Sequence, residues 1–326
     1  MIITVLSLLL FLAEPAASTI SPEQDAPAKA PDPAAEQPDE YGPVVKVLST
    51  GDEPRERAKL SLHVGDVQFA VMEVDMQMKM AMDGVVHPSP PMPVISVNMR
   101  ITVEEAFPDG RWKYAAEFTS VDITPKDETP AEVVTMMRGM ISEMAGMKMS
   151  AEIDSEGRQR NLEIVSKIAN PMLFQLLESM KQSVSQMAIR LPEEEIGMGA
   201  RWEVDAKINV GGIAVRQRST YRLVSREGNT VKLGISTQQS PAEKNAAIKN
   251  LPEGVSGTLV DIAGNGKGEL VYDLLRVLPA RGHITGESVA NMDMEGPGMK
   301  AKVDTHMTMS MVIRESKGPA QTAESK

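Results

Sequence analysis

Residues 72–82 read Met-Glu-Val-Asp-Met-Gln-Met-Lys-Met-Ala-Met, a stretch in which apolar and polar side chains alternate at nearly every step. Successive side chains of a β-strand point to opposite faces, so this period of two predicts a strand with one buried and one solvent-facing side. Upstream, the apolar residues Val67, Phe69 and Val71 have the opposite parity. This change of phase predicts a β-bulge at residues 70–72, because one extra residue exchanges the two faces.

The same alternation recurs along most of the chain and predicts about eleven antiparallel strands. A Phe-Pro-Asp-Gly turn at residues 107–110 joins two of them as a hairpin. The pattern resumes at Trp202 and ends in a second methionine-rich ladder at residues 303–313. The glycine-rich segment 264–268 interrupts the pattern and predicts a tight turn.

Two amphipathic helices are predicted between the strands. One follows Thr129 and the other follows Asn170, and each has a proline at its first helical position. The first also begins with the capping-box pattern Thr-Pro-Ala-Glu. Their apolar stripes extend over about residues 130–145 and 171–190. Because an apolar stripe must be buried, we expect both helices to pack on the sheet.

These elements predict the α+β fold class, mostly antiparallel β. The expected architecture is a curved sheet or half-open barrel in two similar halves, about residues 59–165 and 197–314, with the two helices packed on it. The β-rich domain is assigned to residues 44–316. Residues 19–43 and 317–326 contain few large apolar side chains, so they are predicted to be a disordered linker and a disordered tail.

The N-terminal residues predict export. The apolar run at residues 2–12 is too short to cross the roughly 30 Å hydrocarbon core of a membrane as a helix. Small residues follow it at 16–18, so residues 1–18 are interpreted as a signal peptide. No basic residue precedes the run, which leaves two alternatives: a true start farther upstream, or a retained N-terminal membrane tether. We therefore expect an exported protein, periplasmic or extracellular.

Composition argues against several classes of protein. A formal net charge of −11 disfavours nucleic-acid binding, which requires clustered positive charge. The chain has no cysteine, so it has no disulfide framework and its core must provide the stability. Aromatic residues make up 3% of the chain, whereas there are 24 methionines. Flexible thioethers therefore take the place of rings in the predicted core.

No catalytic motif is recognised, and we expect neither an enzyme nor a cofactor. The four histidines do not have the spacing of a zinc site. A nucleophile elbow, a phosphate-binding loop and a dinucleotide fingerprint are all absent from the sequence. The acidic run Glu193-Glu194-Glu195 is interpreted as a solvated loop.

The methionine ladders support three functional hypotheses. The first is a non-catalytic binder or carrier of an apolar small molecule or lipid, since methionine-rich surfaces adapt to varied ligands. The second is a structural cell-envelope module with a packed core and a protein partner that the sequence does not identify. The candidate cavity residues of the first hypothesis are Met76, Met78, Met80, Met137, Met140, Met144, Met307, Met309 and Met311.

The third hypothesis is Cu(I) capture by soft thioether ligands. Its candidate ligands are Met78, Met80, Met307, Met309 and His306. However, His306 has the opposite parity to Met307 and Met309, so in a regular strand its ring points away from the thioethers. The sequence therefore favours burial of the ladders over a metal site, and no metal ligand is assigned.

Three parts of the chain are similar to secreted bacterial proteins grouped as a domain of unknown function. They are the strand at residues 72–82, the run from Leu191-Pro192 to Gly199-Ala200-Arg201-Trp202, and the ladder at 307–311. Such proteins often have an acidic residue between the Gly and Trp of the central run, and this chain does not.

The resemblance covers residues 59–314 and implies no active site, because none is known for the group. At the level of fold alone, the predicted sheet resembles the half-barrel of the bacterial lipoprotein carriers. That second resemblance implies a concave sheet face on which helices lie.

Overall fold

The computed structural model describes residues 43–87, 89–142, 144–165, 189–210, 213–248, 251 and 254–318. The first strands are β1 (Val44–Ser49), β2 (Glu56–Arg57), β3 (Val67–Met82), β4 (Val85–His87), β5 (Val94–Ala106) and β6 (Trp112–Thr124). After helix α1 (Ala131–Ser142) follow β7 (Lys148–Ile153), β8 (Gln159–Val165), β9 (Glu195–Ile196), β10 (Arg201–Val210) and β11 (Ile213–Glu227). The last are β12 (Thr230–Pro241), β13 (Ala246–Ala247), β14 (Ser256–Asp273), β15 (Arg281–Gly296) and β16 (Met299–Glu315).

Nearly all of these strands belong to one antiparallel sheet of fourteen strands. Its order is β1-β10-β11-β12-β14-β15-β16-β3-β5-β6-β7-β8, with β13 beside β14 and β4 beside β3. The sheet is open, since β1 and β8 lie at its two ends. The predicted mostly antiparallel sheet is confirmed, and the strand number exceeds about eleven because several strands are too short to show a periodic pattern.

The first long strand and the last strand join the two parts of the sheet. β16 pairs with β3 from Val303 opposite Met82 to Glu315 opposite Ala70. The two methionine ladders of the sequence therefore lie side by side in the middle of the sheet. The division into two similar halves stays a prediction.

The predicted β-bulge at residues 70–72 is wrong. Buried and less buried residues alternate without interruption from Gln68 to Met76. Gln68 points inward, where its side-chain amide makes hydrogen bonds of 2.9 and 3.1 Å with the backbone of Leu278. Because this buried polar group is satisfied, the strand keeps its phase, and Phe69 lies on the opposite face.

The predicted tight turn at residues 264–268 is also wrong. This glycine-rich segment lies in the middle of β14, paired with β12 on one side and β15 on the other. Glycine has no side chain, so the inward positions of this strand do not show the apolar alternation that predicts a strand.

Helix α1 is the only helix in the part of the chain that the structure covers, and it is shorter than the predicted 130–145. It begins after Pro130, whose carbonyl accepts a 3.1 Å hydrogen bond from Val134. The Thr129 hydroxyl accepts from the backbone nitrogen of Lys126 instead of capping the helix as predicted. Across the covered residues, no helix has the length and apolar character needed to cross a membrane.

The second predicted helix, 171–190, falls outside the described residues except for Ile189 and Arg190, which are not helical. Residues 1–42 and 319–326 also lie outside them, and with them the predicted signal peptide and nearly all of the linker and tail.

One end of the buried face, which we call the closed end, is filled by large side chains. Trp202 stacks on Tyr221 with ring centroids 5.5 Å apart, and both side chains are buried. The segment before β3 adds to this packing: Leu60 donates to the carbonyl of Ser155 at 2.8 Å, and Ser61 donates to that of Leu274 at 2.9 Å. Leu60 and Ser61 thus connect the loops that follow β7 and β14, two strands that are far apart in the sheet order.

Candidate functional site

The inner face is the side of the sheet on which the buried side chains of β3, β10–β12 and β14–β16 lie. Beyond the closed end, two neighbouring rows of paired residues cross this face. The first row contains Gln217, Gln239, Gly264, Ser288, Met307 and Met78. The second row contains Ser219, Thr237, Gly266, Gly286, Met309 and Met76. We call these the two central rows.

Four methionines form one side of the central rows. Met76 lies opposite Met309 and Met78 lies opposite Met307, so two strands contribute two thioethers each. Paired residues of this kind have Cβ atoms about 4.5–5.5 Å apart, close enough for their side chains to contact one another. Three of the four are buried, and Met78 is half-buried. We call this group the methionine block.

Uncharged polar side chains form the other side. Gln217, Ser219, Thr237 and Gln239 are all buried. The Gln239 amide nitrogen donates to Gln217 Oε1 at 2.9 Å, and the Ser219 and Thr237 hydroxyls lie 3.3 Å apart. These pairs satisfy most of the buried polar atoms, as burial requires.

Glycines lie between the two sides. Gly266 is paired with Gly286, so the middle of the second row has no side chain. In the first row, Gly264 occupies the corresponding position on β14. The signal for this glycine floor is present in the sequence, because Gly264, Gly266 and Gly268 alternate with Asn265 and Lys267 at the period of a strand.

The next row toward the closed end is filled. It joins Trp202, Tyr221, Ile235, Gly268, Ile284, Met311 and Val74. Gly268 has no free space here, because an added methyl group would collide with the backbone carbonyl of His283. This row therefore forms a wall at one side of the central rows.

The tyrosines of the closed end stay neutral. Burial raises the pKa of Tyr221 to about 12. Burial also raises the pKa values of Tyr114 and Tyr272 well above their usual range. The wall is thus uncharged at any ordinary pH, because a phenolate would be desolvated there.

The sheet is less complete on the opposite side of the central rows. β5 pairs with β3 only as far as Val74, and β4 pairs with β3 only from Met80 onward. Within the residues placed by the structure, the edge of β3 from Asp75 to Lys79 therefore has no neighbouring strand on that side. Met80 and Met294 are half-buried there, so the inner face is partly accessible at this end.

The structure brings together the strand methionines of the predicted cavity. Met76, Met78, Met307 and Met309 form the methionine block, while Met80 pairs with Thr305 and Met311 pairs with Val74. The helix methionines lie elsewhere. Met137 in α1 and Met144 just after it are both buried. Helix α1 contacts β6, and β5 lies between β6 and β3 in the sheet. The side chain of Met140 lies outside the described part of the structure.

Of the metal candidates, His306 is separated from the thioethers, as the sequence predicted. His306 is exposed on the outer face, whereas Met307 and Met309 are buried on the inner face. Among the residues that the structure describes, no cluster of three or more His, Asp or Glu side chains has the arrangement of a metal site. The three glutamates are exposed, and the Glu193 carboxylate lies 2.9 Å from the Arg158 guanidinium. Glu193 and Glu194 lie in a loop, as predicted, whereas Glu195 begins β9.

The outer face carries pockets of about 480 and 590 Å³, and the arginines that line the larger one pair with Asp205. Arg216 and Arg218 lie 2.7 and 3.4 Å from the Asp205 carboxylate, and they hold the pKa of that carboxyl below its usual range. Asn265 donates to Glu287 at 3.0 Å. The larger pocket therefore shows a network of surface ion pairs, and we assign the candidate site to the inner face.

Comparison with curated proteins gives no match to this chain. Residues 177–279 do match a family model, and this segment includes β10, β11, β12 and β14. It thus contains the run 191–202, the polar side of the central rows and the glycines of β14, whereas the methionine ladders lie outside it. The predicted resemblance to a domain of unknown function is confirmed, over a shorter range than 59–314: residues 177–279 of the chain are similar to a family of unknown function, DUF6263.

Proposed function

We propose that this protein is a non-catalytic binder or carrier of a hydrophobic ligand, held against the two central rows inside a half-open barrel. The observation that carries the proposal is the glycine floor at Gly266 and Gly286, where the sheet contributes no side chain in the middle of a buried face. A flexible apolar surface borders the gap on one side, and neutral polar groups border it on the other. The fold-level resemblance to the lipoprotein carriers and the predicted export are parts of the same proposal.

The glycines are costly unless something lies close above them. Glycine in a strand interior is less favourable than alanine by roughly 0.5–1 kcal/mol. In β14 and β15, Gly264, Gly268 and Gly282 already have protein atoms within 3 Å of the place of a Cβ. Gly266 and Gly286 form the middle of the second row on the same face. Glycine in a strand marks a place where another group approaches the backbone. A ligand chain lying over Gly266 and Gly286, with its methylenes against the methionine block, provides that approach.

The methionine block also favours a second candidate, Cu(I) binding. The β3–β16 register places four thioethers on one face, and soft sulfur ligands select Cu(I). The site has no histidine on the same face, since His306 points outward. We rank this candidate below the hydrophobic ligand because copper binding does not account for the glycines or the polar side.

Native mass spectrometry of the protein purified from its own cells tests these alternatives. Additional mass equal to that of a lipid supports the carrier, and additional mass equal to that of copper supports the second candidate. A bare chain that also fails to take up the apolar fluorophore N-phenyl-1-naphthylamine overturns both, and it favours a structural envelope module.

A pair of variants locates the site. Gly286→Leu fills the glycine floor and should abolish uptake of the fluorophore. Gly296→Leu is the matched control, because Gly296 lies at the end of the same strand and an added Cβ would meet only ordinary contacts there, the nearest being Val255 at 3.7 Å. Equal uptake by the two variants would place binding somewhere other than the central rows.

A further inference from the structure

One buried polar atom in the central rows has no hydrogen-bond partner. Gln239 is 6% exposed, and its amide nitrogen donates to Gln217. Its carbonyl oxygen, Oε1, accepts no hydrogen bond from any residue within the described part of the chain. A buried acceptor without a donor loses its hydration with no compensation, so native proteins rarely leave one unpaired.

This oxygen lies over the glycine floor. A methyl group added at Gly264 would be 2.5 Å from Gln239 Oε1 and 3.2 Å from the Cβ atom of Ser288. Glycine at position 264 thus leaves room for the Gln239 side chain, whose free acceptor is positioned between β12 and β15. The acceptor and the methionine block belong to the same row, on opposite sides of Gly264.

We infer that Gln239 Oε1 accepts a hydrogen bond from a hydroxyl or amide N–H of the bound ligand. This inference rests on the proposed function and specifies the class of ligand as a neutral amphiphile. Its alkyl or acyl chain lies along the methionine block, and its uncharged polar group lies between Gln239 and Ser288. The two central rows contain no charged residue. A carboxylate or phosphate there would be buried with no charged partner in either row, which is unfavourable.

Displacement of N-phenyl-1-naphthylamine by three matched compounds tests the inference: dodecanol, dodecyl methyl ether and dodecanoate. The alcohol can donate a hydrogen bond, the ether cannot, and the third compound carries a charge. We expect dodecanol to bind about tenfold more tightly than the ether, because the ether leaves the buried acceptor unpaired. Dodecanoate should be the weakest of the three.

The Gln239→Leu variant should bind the alcohol and the ether about equally, because it lacks the acceptor that distinguishes them. Gln238→Leu is the matched control, since Gln238 is the neighbouring residue and is exposed on the outer face. It should keep the wild-type preference for the alcohol. If Gln239→Leu does not fold, the wild-type preference between alcohol and ether still decides the question.

The outcomes separate this inference from the proposed function. Absence of fluorophore uptake by the wild-type protein overturns the proposed function and the inference together. Uptake with equal affinity for alcohol and ether overturns the inference alone, and so does a preference that survives in Gln239→Leu. Tightest binding by dodecanoate would show that the site selects an anion, which also contradicts the inference.

Discussion

The closed end and the two central rows are formed by the same strands, yet their side chains differ in almost every respect. In β10 and β11, Trp202 and Tyr221 are stacked at the closed end, and the pair one step along the strands is Val204 and Ser219. At the closed end even the indole nitrogen is satisfied, since it donates to the carbonyl of Arg190 at 2.7 Å. In the central rows, neutral polar side chains and glycines take the place of the rings.

This difference indicates that stability and binding are divided along the strands. A filled end can hold the sheet together, which lets the adjacent rows remain incompletely filled. The division is open to experiment, because substitutions at the closed end should affect unfolding while those in the central rows should affect binding.

The largest effect is expected at Trp202. Trp202→Ala removes a fully buried ring and its hydrogen bond, so it should lower the free energy of unfolding by about 3–5 kcal/mol. Urea denaturation followed by circular dichroism measures the loss. Met309→Ala is the comparison in the central rows, and it should cost less than about 2 kcal/mol if its surroundings are not tightly packed. Equal losses would show that the central rows are as closely packed as the closed end.

Alkaline pH should act on the closed end alone. The ordinary pKa of tyrosine is 10.0, and burial raises that of Tyr221 to about 12. The folded state therefore holds this proton more tightly than the unfolded state. The resulting stability is complete below pH 10 and is lost as the pH rises through about 12, a loss of roughly 2–3 kcal/mol. Urea denaturation at increasing pH measures it, and Tyr221→Phe should unfold at a higher pH than the wild type.

Two glycines mark the border between the regions. Gly268→Ala should cost about 1–3 kcal/mol, because the new methyl group would meet the carbonyl of His283. Gly286→Ala should be neutral, or stabilising by up to about 1 kcal/mol, because alanine is less costly than glycine in a strand. Thermal unfolding of the two variants compares them directly. A similar loss of stability in both variants would show that the space above Gly286 is also filled. That result would contradict a glycine floor with room for a ligand.

The smallest effect on stability is expected in the methionine block. Replacing Met78 and Met307 by leucine conserves volume and should change the free energy of unfolding by less than about 1.5 kcal/mol. The double variant should still take up the apolar fluorophore, since leucine is also apolar. Titration with Cu(I) is the accompanying measurement. Stoichiometric uptake by the wild type that disappears in this variant would make the block a metal site.

Sequence reasoning recovered the parts of the fold that depend on apolar alternation. The ladders at 72–82 and 303–313 and the outward direction of His306 follow from a period of two. The hairpin turn at 107–110 follows from its Phe-Pro-Asp-Gly sequence. The predicted bulge in β3 failed because the buried residue there is Gln68, a polar side chain satisfied by a backbone partner that is distant in sequence.

The candidate site was only partly predictable. The strand methionines were identified, but their pairing depends on the β3–β16 register, which no local pattern specifies. The polar side was missed because Gln217 and Gln239 look solvent-facing in the sequence, although both are buried. The glycines of β14 predict a turn because they interrupt the apolar alternation by which a strand is recognised.

The pairing of β3 with β16 has a consequence for how the chain reaches its native state. The ion pair between Glu73 and Arg314 joins residues 241 positions apart, and the whole strand pair around it has a similar separation. Contacts of such high contact order form slowly, because a long loop must close first. A ribosome must synthesise the chain through β16 before this seam can form, and until then two partial sheets present unpaired edges that favour aggregation. Loss of β16 would therefore separate the two parts of the sheet at its centre, although β16 comes after the other described strands in the sequence.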